Sequence, residues 1–204
     1  MDSALLTRGA PRPRPGMRFL DGPELAPGRV HEFCGPARRT LALMLARETS
    51  GPILWIRPAW APDSLNPEGM VALVDPARLI EATPKRAEDL LWCMEETLRS
   101  GMIALAVVEL PEPPGLTPVR RLHLAAETGA AEGHGTPTGV LLIPGAGGAP
   151  GVESRWHLAP RHAEDVSLWR LERRRARTAP PRAWTVERRG RRFVARDGAG
   201  APAV

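Results

Sequence analysis

The chain has 204 residues, of which 43% are hydrophobic, so it can bury an ample core in one domain with tails or in two small domains. No run of about 18 uncharged apolar residues occurs, and no apolar segment follows the first arginines, so we expect neither a membrane span nor a secretory signal. Lys85 is the only lysine among 28 basic residues, which is typical of a GC-rich genome. The distribution of charge is more informative, since residues 151–197 hold thirteen arginines and six acidic residues, a net charge of +7.

The N-terminal segment interleaves prolines with arginines between Arg8 and Arg18, a composition that is unable to bury a core face. We therefore predict a flexible tail over residues 1–22. A buried strand is predicted at residues 30–34, followed by a tight turn at Gly35-Pro36 and an amphipathic helix over residues 37–48.

This strand, turn and helix have the layout of a phosphate-binding loop, in which backbone N–H groups and a lysine surround phosphates and a hydroxyl holds Mg²⁺. Gly35 could be the first glycine and Thr40 the hydroxyl, but only four residues separate them where the motif has six. The sequence lacks the second glycine and the lysine here, and Arg38 and Arg39 carry a broad planar charge in place of a compact one. We predict a degenerate loop that has lost nucleotide chemistry; a weak ATPase that uses the two arginines is the alternative.

Beyond this loop, short apolar runs alternate with helical stripes. The predicted elements are strands at 53–56, 78–80, 102–110 and 139–143, a helical turn at 67–71, helices at 83–101 (capped by Thr83) and from 117 through 126, and a flexible loop at 144–151. The alternation predicts an α/β fold with a mostly parallel sheet and helices on both sides. Glu109 lies at the carboxyl edge of its strand, where open α/β sheets bind ligands, so either some Mg²⁺ affinity or a solvated edge carboxylate is expected there.

The C-terminal quarter changes to strands without helices, predicted at 155–158, 166–175, 182–188 and 191–196, with a turn at Arg189-Gly190. Apolar positions among arginines are typical of antiparallel strands with one wet face. Residues 151–196 are therefore predicted to be a basic antiparallel extension, and residues 197–204 a disordered tail. If this extension contacts DNA or a partner, arginines neutralise phosphates and a tryptophan stacks on a base. The candidate residues are Arg173, Arg174, Arg175, Arg177, Arg188, Arg189, Arg191, Arg192, Trp169 and Trp184.

Cysteines and histidines give no sign of a metal centre. Cys34 and Cys93 have no second pair to complete one, so we expect two reduced core thiols in a cytosolic protein. The five histidines are scattered, without ligand spacing in one helix, and core or surface roles are expected for them. The sequence predicts neither a cofactor nor a bound metal.

Four phrases, taken in their order and spacing, resemble the RecA-like core and most closely the ImuA family of bacterial SOS mutagenesis proteins. They are residues 25–32 entering the first strand, Arg99-Ser100-Gly101 before the strand that ends at Glu109, Arg121-Leu122 in the next helix, and the basic run 173–177 through Pro181 and Trp184. The resemblance covers residues 20–190. It implies a RecA-like P-loop NTPase core as a single domain over residues 23–196, with Glu109 in the place of the Walker B aspartate.

The departures from an active recombinase imply a protein that is not an enzyme. The segments that correspond to the two DNA-binding loops of RecA, residues 111–118 and 144–151, are short and contain no basic residue. The resemblance implies an accessory role in SOS-induced, error-prone translesion DNA synthesis, in the cytoplasm and at the nucleoid. The implied partners are ImuB, an inactive Y-family polymerase relative, an error-prone replicative-type polymerase, and RecA. A single-stranded-DNA-binding module of the damage response and a cell-division inhibitor of the SulA type are the alternatives.

Overall fold

The computed structural model describes residues 16–132 and 135–198. Within these ranges the strands are β1 Met17–Arg18, β2 Glu24–Leu25, β3 Val30–Cys34, β4 Ile53–Ile56, β5 Leu79–Ala82, β6 Leu105–Glu109, β7 Thr138–Ile143, β8 Ser154–Pro160, β9 Leu168–Ala176, β10 Arg182–Arg189 and β11 Arg192–Asp197. The α-helices are α1 Arg38–Arg47, α2 Pro67–Met70, α3 Ala87–Ser100 and α4 Leu116–Ala131, with a 3₁₀ turn at Pro76–Arg78.

One large mixed sheet dominates the described part of the chain, with the strand order β11-β10-β9-β8-β3-β7-β6-β4-β5. From β8 to β5 every neighbouring pair is parallel, whereas β8, β9, β10 and β11 pair antiparallel. Strands β1 and β2 form a separate antiparallel ribbon. The predicted α/β class, the parallel strands with flanking helices and the C-terminal antiparallel strands are confirmed; the RecA-like P-loop core stays a prediction.

The central strands β3, β6 and β7 are buried at every position because both faces of the sheet are covered there. On one face, α1 and the ribbon pack against side chains such as Phe33 and Trp55. On the other face, α3 and α4 pack against Val30, Val108 and Leu141. Strands that are apolar on both faces appear in the sequence as continuous apolar runs, which is why these strands were predictable.

Helices α3 and α4 approach each other backbone to backbone. A Cβ placed on Gly129 would lie 2.2 Å from the carbonyl oxygen of Leu98 and 2.8 Å from the amide nitrogen of Gly101. Gly101 itself ends α3 with a left-handed φ of 65°, as the sequence predicts for that position. Any side chain at Gly129 would therefore push the two helices apart.

The N-terminal segment differs from the predicted tail. Residues 1–15 lie outside the described part of the chain, but residues 17–25 form the ribbon, in which Phe19 and Leu20 are buried. The Phe19 ring packs edge-on against Trp156 with the ring centroids 5.4 Å apart. The prolines and arginines that indicated a tail end before these apolar side chains, so the packed structure begins earlier than residue 23. At the other end, Asp197 belongs to β11, and residues 199–204 lie outside the described ranges.

Helix α3 begins four residues later than predicted, and Thr83 is not its cap. The N-cap position is Arg86, which makes no side-chain cap hydrogen bond. Residues 83–86 instead continue the line of β5, since the Ala59 N–H donates to the Pro84 carbonyl at 3.0 Å. Strand β8 also differs from expectation, because it pairs parallel with β3 on one side before the antiparallel strands begin on the other.

No helix in residues 16–132 or 135–198 combines the length and the apolar character that a membrane crossing requires. The same ranges contain no group of three or more His, Cys, Asp and Glu side chains that could hold a metal ion.

Candidate functional site

The turn after β3 has its backbone donors occupied by carbonyl groups of the same chain. The Gly35 N–H donates to the Gly145 carbonyl at 2.9 Å, and the Ala37 N–H donates to the Leu158 carbonyl at 3.1 Å. A phosphate loop works because such N–H groups point at the ligand and have no other acceptor. The turn therefore keeps the strand-to-helix geometry of a phosphate loop, but two of its amides are already satisfied.

Strand β8 also fills the space beside this turn. Gly35 has a left-handed φ of 88°, and a Cβ built on it would lie 2.6 Å from the Leu158 carbonyl oxygen and 2.7 Å from the His157 ring. Burial, and after it the Arg174 guanidinium, lower the pKa of His157, so the ring is neutral at physiological pH. An uncharged ring thus packs against the glycine.

Arg39 and Glu109 form a part-buried ion pair across α1 and β6. The guanidinium donates from Nη2 to Glu109 Oε2 at 2.7 Å and from Nε to both carboxylate oxygens at 3.0 and 3.1 Å. The indole Nε1 of Trp55 donates to Glu109 Oε1 at 2.8 Å. Only 10% of the Glu109 side chain is exposed, so the expected solvated edge carboxylate is wrong. The guanidinium that was expected in place of the phosphate-loop lysine is therefore held by Glu109, the residue that the resemblance predicts as the Walker B-like acid.

The other two residues of the predicted loop are half-buried. Arg38 turns back on the loop and donates from Nη1 to the Gly35 carbonyl at 3.4 Å. Thr40 is the third residue of α1.

The loop over residues 144–151 is anchored by Glu32, which sequence reasoning missed. Glu32 is fully buried and accepts hydrogen bonds from the Gly148 N–H at 2.5 Å and from Arg155 Nε at 2.6 Å. Arg155 also donates from Nη2 to the Ala149 carbonyl at 3.0 Å. The prediction of a flexible loop is wrong in this respect, and the available signal was a carboxylate inside a strand that was predicted to be buried.

A second network of buried polar side chains joins β3 to β8. The Trp156 Nε1–H donates to Ser154 Oγ at 2.7 Å, Ser154 lies 2.7 Å from His31 Nδ1, and His31 Nε2 lies 2.9 Å from the Ala26 carbonyl. Since a carbonyl can only accept, Nε2 carries the proton and Nδ1 accepts from the serine hydroxyl. Burial lowers the pKa of His31 to about 4. This network is structural and lies inside the core, and a core role was expected for His31.

The thiol of Cys34 is equally enclosed. It is buried, and burial raises its pKa to about 12. The neighbouring Glu32 carboxylate contributes in the same direction. The nucleophilic thiolate is therefore not populated at neutral pH.

Both tryptophans of the predicted C-terminal site lie inside the domain. Trp184 is buried and stacks on Trp156 with a centroid distance of 5.6 Å, and Trp169 is buried beside Phe193 at 5.8 Å. The Arg173 guanidinium is 5.4 Å from the Trp184 ring and donates from Nε to the Pro180 carbonyl at 3.0 Å. The stacking role predicted for the tryptophans does not fit this placement, and Arg173 is used internally.

The remaining candidate arginines are divided between the turn, the edge and one face of the antiparallel strands. Arg188 donates to the Gly190 carbonyl at 3.0 Å, within the β10–β11 turn. Arg174 and Arg189 pair with glutamates on the face that α1 does not cover. Arg175, Arg177, Arg191 and Arg192 are exposed. Sequence reasoning missed Arg170 and Arg196, although strand alternation from the candidate Arg192 would have found Arg196.

Comparison with known proteins gives one kind of relative. The chain is similar to the protein ImuA of Caulobacter vibrioides, in strain NA1000/CB15N and in strain CB 15, with 32% identity over an alignment of 161 residues. The alignment covers 70% of this chain and 63% of each relative, so the chain spans less than two thirds of the length of the curated relatives it matches. No family model matches the chain.

Proposed function

Because the chain belongs to the ImuA family, we propose that it is a non-catalytic accessory protein of SOS-induced, error-prone translesion DNA synthesis. It acts by binding ImuB, the inactive Y-family polymerase relative, and through it an error-prone replicative-type polymerase; RecA is a further partner. It works in the bacterial cytoplasm and reaches the nucleoid when it is engaged with these partners.

The observation that carries the non-catalytic part of this proposal is the closed phosphate loop. The amides of Gly35 and Ala37 donate to carbonyl groups, and Arg39 is held by Glu109. Binding a triphosphate here would require breaking two backbone hydrogen bonds and one part-buried ion pair, and each broken bond costs free energy that the ligand must recover. The protein therefore contributes contacts and not ATP turnover.

A groove between α3 and α4 offers a surface for a protein partner. It is lined by the apolar side chains of Leu91, Trp92, Pro118 and Leu122, with Glu88 and Arg121 at its rim. Trp92 is 59% exposed, although an indole gains much free energy from burial. Exposed tryptophans in apolar grooves are typical of interface hot spots, so this groove is the contact we assign to the polymerase relative.

The test is affinity capture of the tagged protein from cells with and without DNA damage, with nuclease present so that DNA does not bridge the proteins. We expect capture of the inactive Y-family polymerase relative from damaged cells. The variant Trp92→Ala should reduce the captured amount at least tenfold, because truncating a hot-spot tryptophan costs about 2 kcal/mol or more.

The matched control is Trp60→Ala, which removes another exposed indole, in this case from a loop. It should leave the captured amount unchanged. The proposed partners are the polymerase relative, an error-prone polymerase and RecA. If the unmodified protein captures none of the three, the accessory function is wrong. If Trp60→Ala and Trp92→Ala weaken capture equally, the groove is not the contact.

A further inference from the structure

One face of the antiparallel strands is lined with arginines, and none of the helices in residues 16–132 and 135–198 packs over its centre. Side chains alternate along a strand, so Arg170 and Glu172 of β9 lie on the face opposite to the buried Trp169 and Leu171. Arg174 lies at an irregularity in the β8–β9 register, and its hydrogen bond to Glu172 places it on the same face. Thr185 and Arg189 of β10 and Arg196 of β11 lie on the same face. We call these five residues, with the two glutamates between them, the basic face: Arg170, Arg174, Thr185, Arg189, Arg196, Glu172 and Glu187.

The register of the strands places a row of these residues straight across the sheet. Arg170 is the direct partner of Thr185, and Thr185 is the direct partner of Arg196. Neighbouring strands lie about 4.8 Å apart, so the two arginines are about 10 Å apart at their backbones, with an exposed threonine between them. We call this row of Arg170, Thr185 and Arg196 the track; it has a positively charged side chain at each end.

Two glutamates hold the guanidiniums in place. Glu172 accepts from Arg170 Nε at 2.7 Å and from Arg174 Nε at 3.1 Å. Burial raises the pKa of Glu172, but the hydrogen bonds from these arginines outweigh it, and the pKa lies below its usual range. The carboxylate is therefore ionised at neutral pH.

The second glutamate repeats this arrangement on the neighbouring strands. Glu187 accepts from Arg189 Nε at 2.9 Å, and Arg196 Nη2 lies 3.8 Å from its other carboxylate oxygen. The hydrogen bond from Arg189 lowers the pKa of Glu187. Each cluster thus has two cations and one anion, which leaves a net positive charge on the face.

The guanidiniums retain donors for a ligand. A guanidinium has five N–H donors, and Arg170, Arg174 and Arg189 each use Nε on a glutamate. Their terminal NH₂ groups are the part of the fork that binds phosphate oxygens. Orientation by the glutamates lowers the entropy that each arginine loses when it binds an anion.

We propose that the basic face binds the phosphate backbone of single-stranded DNA. In residues 154–198 this face presents arginines but no exposed tryptophan or phenylalanine ring, since the three tryptophans and the phenylalanine of these strands are buried. Recognition therefore runs through phosphates and not through stacked bases, and it is independent of base sequence. The face extends over three paired strands, which is broader than the helix or the two-stranded ribbon that a duplex major groove admits, so we assign it to one DNA strand.

This inference goes beyond the proposed accessory function and does not depend on it. The basic face shares no residue with the α3–α4 groove, and its binding is measured with purified protein and DNA alone. It also relocates the DNA contact, because the segments that correspond to the DNA-binding loops of RecA carry no basic residue.

The test is fluorescence anisotropy with labelled oligothymidine of about 20 nucleotides, long enough to cover one site of this size, at several NaCl concentrations. Four phosphate contacts predict a slope of log affinity against log salt of about −3 for single strands. The double variant Arg170→Gln and Arg196→Gln should weaken binding about tenfold or more and roughly halve the slope.

The matched control is the double variant Arg86→Gln and Arg120→Gln, which removes the same charge from exposed positions at the starts of α3 and α4. It should bind within about twofold of the unmodified protein. Thr185→Glu is a second variant that keeps every arginine and places a negative charge in the middle of the track, and it should bind at least tenfold more weakly. Circular dichroism establishes that each variant is folded.

Three results would overturn the proposal. The first is the absence of binding to oligothymidine at low salt by the unmodified protein. The second is equal weakening by the control variant, which would indicate general attraction by the net charge of +5. The third is binding to a duplex of the same length as tight as to the single strand.

Discussion

Gly35 lies where the turn after β3 packs closely against β8, so we expect a side chain at this position to destabilise the protein. The substitution Gly35→Ala introduces a Cβ at a φ of 88° and brings it within 2.7 Å of Leu158 and His157. The left-handed backbone costs about 1 to 2 kcal/mol and the overlap about as much again, so we expect a loss of about 3 kcal/mol in the free energy of unfolding. Urea unfolding followed by circular dichroism measures this loss.

Gly51→Ala is the control for the backbone term alone. Gly51 has a φ of 76°, but a Cβ there would have no neighbour within 4 Å. We expect this variant to lose about 1 kcal/mol. Equal losses in the two variants would contradict the close packing of β8 against the turn.

His31 makes the stability of the protein depend on pH. The pKa of its buried ring is about 4 in the folded protein and about 6.5 when unfolded, so between these values the unfolded chain binds a proton that the folded protein excludes. The contribution is fully present above pH 6.5 and is lost as the pH falls toward 4. A shift of this size corresponds to about 3 kcal/mol.

Unfolding free energies measured from pH 7 to pH 4 test this prediction. The decrease should be smaller in His31→Gln, because that variant has no titrating ring in the core. A pH dependence that is identical in His31→Gln and the unmodified protein would contradict the assignment.

At the scale of elements, the Arg39–Glu109 pair joins α1 to the end of β6. Removing one partner leaves a mostly buried charge without its counterion, so Arg39→Ala should cost about 2 kcal/mol, less than for a fully buried pair because 29% of the arginine side chain is exposed. The double variant with Glu109→Gln should cost clearly less than the sum of the two single variants. Denaturant unfolding of all four proteins measures this coupling.

The exposed pair Arg86–Glu88 is the control for this cycle. Because water screens it, Arg86→Ala should leave the free energy of unfolding unchanged within error. Additive single substitutions at Arg39 and Glu109 would show that the pair does not hold the loop closed.

The sequence predicts best the elements whose structure depends on their own local sequence. Strands β4 and β7 contain short apolar runs that pack between layers, and their predicted bounds agree with the structure to within one residue. The start of α3 was not predictable in this way, because a hydrogen bond from Ala59 to Pro84 extends the preceding strand past Thr83. Tertiary contacts of this kind override a good local cap signal.

The position of the candidate site was predictable from the sequence, but the hydrogen bonds that occupy it were not. The spacing at Gly35 indicated a degenerate loop, whereas the acceptors that occupy its N–H groups are the carbonyl groups of Gly145 and Leu158, more than 100 residues away in the chain. Likewise, the composition of β9 and β10 indicated arginines and tryptophans on one surface. Strand alternation and the cover of α1 and the ribbon separate them, with Trp169 and Trp184 in the core.

At the scale of the whole molecule, one side of the sheet carries both proposed contacts. Helices α3 and α4 cover the parallel strands on the face to which Val30 and Glu32 belong. Arg155 of β8 pairs with Glu32 on this face, and the basic face continues it across the antiparallel strands. A partner in the α3–α4 groove and a single strand on the basic face would therefore lie on the same side of the sheet. This placement suits an accessory protein that brings a polymerase to exposed template.

We propose that the closed loop makes the molecule a binding protein and not an ATPase, whether or not its partner is present. This claim is tested most directly by phosphate release from ATP·Mg²⁺ at millimolar nucleotide, measured for the purified protein alone and for its complex with the captured polymerase relative. We predict no release above that of a matched sample without the protein. Release that saturates with ATP, and that a folded Arg39→Ala variant abolishes, would contradict the account.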